Sequence, residues 1–372
     1  MSGPLASLKI VEFAGLGPAP LAGQLLADLG ADVVVIDRIS GESDPADINR
    51  RGKKSIALNL KTPKGLQVAK RLIAASDVLI EGFRPGVMGR LGLGPKDCPE
   101  TLVYGRMTGW GQEGPLAQSA GHDISYLAMT GALHAIGPAD RPPVVPLNLI
   151  ADFGGGTMFL LYGILAALFE RGISGKGQVV DAAMVDGVPA MMGLVHSFIA
   201  QGQWQASRES NWLDGASHFY RCYECADNKF IAVGALEPQF YAELVKLSGV
   251  KGIDVDAQFD RARWPEQQAI FAEHFKTKPR DEWADIFTGT DACVAPVLDF
   301  DEAARHPANQ ARHAYFTAQG VTQASPAPRF ERSRPTVTDP PHAPGQDSEN
   351  ILAALGYNAT EIDAMREKGA IT

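Results

Sequence analysis

Two polar clusters in the middle of the chain carry side chains suited to acid–base chemistry. The first reads GHDISY over residues 121–126 and precedes an apolar stretch. The second reads NLIADFGGG over residues 148–156 and opens a long apolar helix. Asp152 lies at or just before the N-terminus of that helix, where unpaired N–H groups and the helix dipole stabilise a carboxylate. A simple N-cap aspartate is the ordinary interpretation, and a functional carboxylate is the alternative.

The three glycines from Gly154 to Gly156 are not explained by capping. Each glycine in a helix costs about 1 kcal/mol of stability relative to alanine. Glycines here would instead let a ligand or another stretch of backbone approach closely. This keeps Asp152 as a candidate functional residue.

A dense cluster of positive charge lies near the start of an otherwise acidic chain. Residues 50–54 read RRGKK, whereas the formal net charge of the whole chain is −9. Such a run is most often a solvated loop. With Arg38 before it and Arg84 after a later strand, it would instead surround one edge of a sheet with positive charge. Arginine and lysine there suit a ligand that carries several phosphates and an adenine.

Alternating β-branched runs and helical stretches predict the sheet that positions these clusters. Buried parallel strands are predicted at residues 9–13, 32–36, 78–81 and 102–106. Thr62-Pro63 supplies an N-cap and a first-turn proline for a helix that reaches about residue 75. The pattern predicts a Rossmann-like, doubly wound α/β fold, whose ligand crevice lies beyond the carboxyl ends of the strands.

The sequence changes character after about residue 200, which predicts a second domain. Before that point, Gly154 to Arg171 is predicted as one long helix that ends at Gly172. We predict a large Rossmann-like domain over residues 1–200 and a small α+β domain over residues 201–314. The C-terminal segment, residues 315–372, is expected to complete the large domain.

The first strand-to-helix turn raises the question of dinucleotide binding. Residues 15–20 read GLGPAP, which supplies two glycines of G-x-G-x-x-G but has Pro20 at the third position. A small residue is required there so that free N–H groups face a pyrophosphate. Asp37 stands where an NAD enzyme would hold a ribose, but Arg38 follows it and suits a phosphate better. A tight turn is the simpler interpretation, and an NAD(P)-dependent oxidoreductase is a weak alternative.

Composition and charge exclude several classes of function. An acidic chain is unsuited to bulk binding of nucleic acid, and no apolar run reaches the roughly 20 residues of a membrane span. Four cysteines do not suggest a disulfide framework, and the CxxC pair at residues 222–225 has no second pair for zinc. No metal site is predicted. The N-terminus lacks an export signal, so a cytoplasmic location is expected.

Several longer stretches resemble one known family. The stretches are GHDISY, PLNLIADFGGGTMFL, GKGQVVDAAMVDG, VGALEPQFY, DACVAPVL and NRRGKKSIALNLK. They resemble the α-methylacyl-CoA racemases, a branch of the family III CoA-transferase (CaiB/BaiF-like) superfamily, from about Leu5 to Phe330. The resemblance implies an isomerase that epimerises the C2 centre of 2-methylacyl-CoA thioesters through an enolate. No separate cofactor is implied, because coenzyme A is part of the substrate.

The resemblance also implies roles for individual residues. His122 and Asp152 would flank the reacting carbon, one removing the proton and the other returning it on the opposite face. The backbone N–H of Asp123 would donate to the enolate oxygen, and the carboxylate of Glu237 would orient the histidine. In the family this last carboxylate comes from the partner chain, so an obligate homodimer with shared active sites is expected.

The remaining implied contacts concern coenzyme A and the acyl chain. The expected coenzyme A contacts are Arg38, Arg50, Arg51, Lys53, Lys54, Leu58, Lys61, Gly82, Phe83, Arg84, Arg106 and Tyr126. Met184, Met191 and Met192 are candidates for a tolerant acyl surface, although methionines at helical spacing are more often core.

The main alternative keeps the fold and changes the chemistry. A family III CoA-transferase would use Asp152 as a covalent nucleophile and move CoA between carboxylic acids. Such enzymes generally lack histidine at the position of His122, and some have a glycine-rich loop in the small domain. Here His122 is present, and VGALEPQFY contains no comparable glycine run. The sequence therefore favours proton transfer between two bases, but it does not identify the acyl chain.

Overall fold

The first of the chain's two units is built on a parallel β-sheet. The computed structural model describes residues 3–41, 44–337 and 339–372. The strands of both units are β1 (Lys9–Phe13), β2 (Asp32–Asp37), β3 (Lys53–Ala57), β4 (Val78–Glu81), β5 (Val103–Thr108), β6 (Val179–Ala183), β7 (Tyr220–Glu224), β8 (Phe230–Gly234), β9 (Val294–Pro296), β10 (Tyr315–Ala318) and β11 (Val321–Ala324). The six-stranded sheet has the order β3-β2-β1-β4-β5-β6, with every neighbouring pair parallel. This is a doubly wound α/β sheet whose order reverses between β1 and β4.

The helices connect these strands and also complete both units. They are α1 (Pro18–Asp28), α2 (Pro63–Ala74), α3 (Val87–Arg90), α4 (Asp123–Met129), a π-helix (Leu149–Thr157), α5 (Met158–Ser174), α6 (Met184–Met191), α7 (Gly193–Ala200), α8 (Pro238–Ser248), α9 (Trp264–Phe275), α10 (Arg280–Phe287), α11 (Phe300–Arg305), α12 (Pro307–Ala311), α13 (Ser348–Ala354) and α14 (Ala359–Glu367). Helix α2 begins as predicted, because the Thr62 side chain accepts a hydrogen bond from the Gly65 N–H at 3.1 Å and Pro63 follows it.

The two units do not follow the predicted boundaries in full. The first comprises Met1–Thr130, Leu147–Met191 and Gln310–Thr372, and the second comprises Gly131–Pro146 and Met192–Asn309. Residues 131–146 and 192–200, assigned to the large domain from sequence, therefore lie in the second unit. In the first unit, α13 and α14 contribute Ile351, Leu352 and Met365 to the same core as the sheet.

Strand β3 was not predicted from the sequence. Residues 50–54 were expected to form a basic loop, but Lys53 and Lys54 begin a strand in which Ser55, Ile56 and Ala57 are buried. The strand pairs with β2 in register from Val33↔Lys53 to Asp37↔Ala57. It forms the edge of the sheet.

The long apolar helix differs from its predicted bounds at both ends. It starts as a π-helix at Leu149 and continues through α5 to Ser174, where Gly175 adopts the left-handed conformation with φ 75°. The prediction that Gly172 ends the helix is therefore wrong. By length and composition the helical run Leu149–Ser174 could cross a membrane. Leu160 and Ile164 of this run are buried in the first unit.

The second unit has its own sheet and an aromatic core. Strands β7, β8 and β9 are antiparallel. The largest side chains of this core that are almost completely inaccessible to solvent are Phe219, Tyr241, Phe271, Phe275 and Trp283.

Candidate active site

Asp152 lies in the first turn of the π-helix. Short π-helical stretches are rare and frequently occur at functional sites. The turn before α1 faces this carboxylate, since a Cβ added to Gly17 would lie 3.6 Å from Asp152 Oδ2. Gly17 has φ 74° and ψ −122°, a conformation that glycine adopts far more easily than other residues. The glycine turn at the start of the chain thus contributes to the surroundings of Asp152.

The three glycines after Asp152 allow another backbone to approach. A Cβ on Gly155 would lie 2.9 Å from the Val188 backbone nitrogen of α6. Conversely, a Cβ on Gly187 of α6 would lie 1.9 Å from the Gly155 carbonyl oxygen. Of the two uses considered for these glycines, close packing between the π-helix and α6 is the one found at Gly155.

His122 is the N-cap residue of α4, with extended backbone at φ −137° and ψ 173°. Its side chain is exposed and makes no capping hydrogen bond. The helix is held in place by Tyr126, whose ring contacts Trp110 edge-on at 4.8 Å. A Cβ on Gly109 would lie 2.0 Å from that ring. The Tyr126 hydroxyl donates a hydrogen bond to the Gly121 carbonyl. The hydroxyl of this predicted coenzyme A contact is therefore hydrogen-bonded to the loop that precedes α4.

The Asp123 side chain connects the His122 loop to Asp152. Asp123 Oδ2 accepts hydrogen bonds from the backbone N–H groups of Ala151 at 2.9 Å and of Asp152 at 2.8 Å. Asp123 directly follows His122 and is the first residue of α4. The structure therefore brings both predicted acid–base residues into one site of a single chain. From sequence, Asp123 was expected to act only through its backbone N–H, and this side-chain contact was not predicted.

The surroundings of Asp152 suit it to proton transfer. Burial raises the pKa of the Asp152 carboxyl group, and the negative charge of Asp123 raises it further. A hydrogen bond from the Asn148 side chain and the proximity of His122 act in the opposite direction. A carboxyl group with a raised pKa exchanges its proton more readily near neutral pH, which is the requirement for a general acid and base.

Two residues predicted to bind phosphate are buried in ion pairs. Lys53 Nζ lies 2.6 Å from Glu12 Oε2, and both side chains are only 2% exposed. The Arg51 guanidinium donates two hydrogen bonds to Asp28, and its remaining donors reach Gln323 and the Ala324 carbonyl. The side chains of Arg51 and Lys53, both expected to bind phosphate, are therefore buried and paired with carboxylates inside the first unit.

Three more of the expected contacts are paired with carboxylates or packed in the core. Lys54 pairs with Asp32 at 2.8 Å, near the amino ends of β2 and β3, which is the edge opposite the predicted crevice. Arg50 binds both Asp37 oxygens, at 3.1 and 2.6 Å, and is largely buried. The Leu58 side chain belongs to the hydrophobic core. The basic run therefore neutralises carboxylates inside the first unit.

Other predicted contacts remain available at the carboxyl edge of the sheet. Arg38 follows β2, and Arg84 follows β4 after Gly82 and Phe83. Arg38, Lys61 and Arg84 are exposed and form no ion pair with any residue in the described part of the chain. Arg84 lies close enough to Tyr126 to oppose the rise in the pKa of that phenol caused by burial.

Comparison with known proteins identifies the family. Residues 5–348 match CoA-transferase family III. The chain belongs to this family. It is 43% identical to alpha-methylacyl-CoA racemase of Mus musculus, and the alignment covers 96% of this chain and 95% of that protein. It is 42% identical to alpha-methylacyl-CoA racemase of Homo sapiens, with the same coverage. The family resemblance found in the sequence is confirmed.

Other family III members show both the fold and the breadth of the family. The crystal structure of a CaiB/BaiF family protein from Brucella suis has a TM-score of 0.81 and 26% identity, covering 95% of this chain and all of that one. Succinyl-CoA:glutarate CoA-transferase of Homo sapiens is 27% identical over 99% of this chain and 90% of its own length. The predicted α/β fold is confirmed.

The three methionines that were predicted to contact the acyl chain lie in different environments. Met184 is buried beside the π-helix, and a Cβ on Gly156 would lie 3.1 Å from its Cγ. Met191 is half-exposed and lies next to Gly154, with its Cε 3.2 Å from a Cβ there. Met184 is therefore core, whereas Met191 lies beside the turn that carries Asp152. Met192 begins a segment of the second unit.

Glu237 is the N-cap residue of α8 in the second unit. Its side chain is exposed, makes no capping hydrogen bond and forms no ion pair with a described residue. Its charge contributes, after burial, to raising the pKa of the Cys293 thiol. The carboxylate is thus free to act on another group. Within the described ranges, no group of three or more His, Cys, Asp or Glu side chains could hold a metal ion.

A buried carboxyl group at the carboxyl edge of the sheet was not found from sequence. Glu81 accepts a hydrogen bond from the Phe83 N–H at 2.7 Å and lies 3.8 Å from Arg106 Nε. Burial raises the pKa of Glu81 to about 7, against the opposing effects of the Phe83 N–H and Arg106. Arg106 Nε is itself buried without a hydrogen-bond partner in the described structure. Glu81 thus links the loop of Arg84 to Arg106.

Replacing Glu81 by glutamine should flatten the dependence of stability on pH. Between pH 4.5 and about 7 the folded state keeps a proton that the unfolded state has lost, so stability falls as the pH rises through this window. The effect is about 3 kcal/mol for this group. Thermal unfolding at pH 5 and pH 8 checks it: the wild type should lose more stability than Glu81→Gln, while exposed Glu113→Gln behaves as wild type. Equal losses in Glu81→Gln and wild type would contradict the prediction.

Proposed function

We propose that this chain is an α-methylacyl-CoA racemase that inverts the C2 centre of 2-methylacyl-CoA thioesters. The observation that carries the proposal is the connection of His122 to Asp152 through Asp123, with a raised pKa on the Asp152 carboxyl. A base and an acid in one site suit a 1,1-proton transfer. The two racemases from mouse and human, aligned over nearly the whole chain, support the same conclusion.

The reaction exchanges a proton at the carbon between a methyl branch and a thioester. His122 removes the proton from one epimer, and protonated Asp152 returns a proton to the opposite face. For the other epimer the two residues exchange roles, and each positioned acid or base contributes about 10²–10⁴-fold. The enolate oxygen accepts from the Asp123 N–H. This group is free for the purpose, because the first residue of a helix has no intrahelical acceptor for its N–H.

The coenzyme A part of the substrate is expected at the carboxyl edge of the sheet. The exposed cations Arg38, Lys61 and Arg84, which form no ion pair with a described residue, are proposed to bind its phosphates and adenine nucleotide, with Arg106 beside them. Coenzyme A is here a part of the substrate, and the proposed chemistry uses only side chains and backbone groups of the protein.

Arg84→Ala should raise KM for acyl-CoA esters by about 10-fold or more, because a charge-assisted hydrogen bond contributes about 1.5–3 kcal/mol. The kcat should change little, since Arg84 is assigned to binding alone. Steady-state kinetics check the prediction, with exposed Arg90→Ala on α3 as the matched control. An unchanged KM in Arg84→Ala would place the nucleotide elsewhere.

The proposal includes a homodimer in which the partner's second unit completes the active site. An open apolar face on α5 supports it: Tyr162, Phe169 and Ile173 are 73%, 76% and 78% exposed. They lie on one side of the helix, at spacings of seven and four residues. Large exposed apolar patches are typical of protein interfaces. Sedimentation velocity at low concentration should give a dimer, and an active monomer would contradict the shared site.

The experiment that tests the proposed function uses one chiral 2-methylacyl-CoA in D₂O without any acceptor acid. We expect deuterium at C2 and loss of optical purity. Hydroxylamine added with the ester should leave the enzyme active. Inactivation with covalent modification of Asp152, without deuterium exchange, would show instead a CoA-transferase of family III.

A further inference from the structure

We propose that the Asp123 carboxylate is a positioning residue, which fixes the Asp152 backbone to the His122 loop and places a second negative charge beside the Asp152 carboxyl group. The inference rests on the proposed function for its kinetic consequences. The contact on which it is built belongs to the fold and is testable without any substrate.

The geometry gives Asp123 a specific contact with the π-helix. One oxygen, Oδ2, accepts from the N–H groups of Ala151 and Asp152. N–H groups in the first turn of a helix have no intrahelical acceptor, so this oxygen satisfies two of them at once. Asp123 is 5% exposed, and its other oxygen, Oδ1, is buried without a hydrogen-bond partner in the described structure. Asp123 is thus held in the interior of the first unit by the two amides of the π-helix.

The connection fixes the relative position of the two acid–base residues. His122 and Asp123 are neighbours at the start of α4, so the contact of Asp123 with the Asp152 amide connects the residue next to His122 directly to Asp152. Loss of the acceptor would release the first turn of the π-helix from α4. A displacement of about 1 Å in a reacting group can cost roughly 10²-fold in rate.

The same carboxylate affects how Asp152 holds its proton. Asp123, His122 and Tyr126, all from α4 and its N-cap, interact electrostatically with Asp152, and α6, which packs against the π-helix, carries the exposed Asp186. Of these, Asp123 is the one whose charge raises the pKa of Asp152. A racemase needs both protonated and ionised Asp152 in each catalytic cycle, and a second nearby carboxylate favours the protonated form.

Asp123→Asn and Asp123→Ala separate the two effects. Asparagine keeps an oxygen that can accept from both N–H groups but removes the charge, so the acid limb of the kcat–pH profile should move to lower pH. Alanine removes the acceptor as well, so kcat should fall by about 10²-fold with KM changed less than about threefold. Amide hydrogen exchange in residues 149–157 should accelerate in Asp123→Ala and remain near the wild-type rate in Asp123→Asn.

The matched control is Asp186→Asn, which removes an exposed carboxylate from the first turn of α6. This variant should change neither the acid limb of the kcat–pH profile nor the amide exchange of residues 149–157. An acid limb in Asp123→Asn that coincides with wild type, or amide exchange in Asp123→Ala that is not accelerated, would overturn the inference. If Asp123→Ala does not fold, the pH profile of Asp123→Asn decides alone. If the wild type exchanges no C2 proton, the proposed function fails, whereas the amide exchange still tests the connection.

Discussion

Replacing His122 by alanine is expected to lower the rate of C2 proton exchange by about 10²–10⁴-fold and to leave KM for the ester within about threefold. The imidazole is exposed and makes no capping hydrogen bond, so its removal does not weaken α4. Proton exchange in D₂O with a chiral ester, measured over a range of ester concentrations, separates the two parameters. Thermal unfolding should give an unchanged midpoint.

A matched control for this variant is His313→Asn. His313 is another exposed imidazole of the first unit, and its φ of 49° is one that asparagine tolerates. It should retain full activity. The acid–base role of His122 would be excluded if His122→Ala lost ester binding and proton exchange to the same extent, because the residue would then serve binding alone.

The parts of the fold predicted from sequence are those that depend on local pattern. Strands β1, β2, β4 and β5 are short β-branched runs, and they were found within about two residues of their bounds. Strand β3 was missed because its first residues are lysines. Lys53 can be buried because its charge is neutralised by Glu12, which lies 41 residues earlier in the chain. Because the neutralising carboxylate lies so far away in the sequence, the residues around Lys53 do not indicate that this lysine is buried.

In the candidate active site, too, features with a local sequence pattern were predicted, whereas a contact between distant segments was not. The Asp152 helix terminus was visible in the sequence, and the resemblance to a family supplied the partner His122. The contact of Asp123 with Asp152 was not found, because its atoms come from segments 29 residues apart. The sequence did contain one indication of this contact, because the carboxylate of Asp123 directly follows the candidate histidine. The structure alone shows that this carboxylate reaches the amide of the other catalytic candidate.

Mixed dimers of His122→Ala and Glu237→Ala subunits are expected to regain activity that neither homodimer has. If Glu237 acts on the partner's His122, a mixed dimer contains one site with both substitutions and one intact site. Because one of its two sites is intact, a preparation of mixed dimers should reach roughly half of wild-type activity. Proton exchange in D₂O measures it, after purification through two different affinity tags.

The control for this experiment follows from the contact that Asp123 makes. Because that contact places His122 and Asp152 in one site of one chain, co-expressed His122→Ala and Asp152→Ala subunits should show no recovery. Each site of their mixed dimer keeps one defective acid–base residue, whichever chain supplies Glu237. Recovery with the first pair but not with the second would show that one subunit supplies His122 and Asp152 to a site and the other subunit supplies Glu237. A first pair that stays inactive, although the dimers form, would mean that Glu237 does not act on the partner's site.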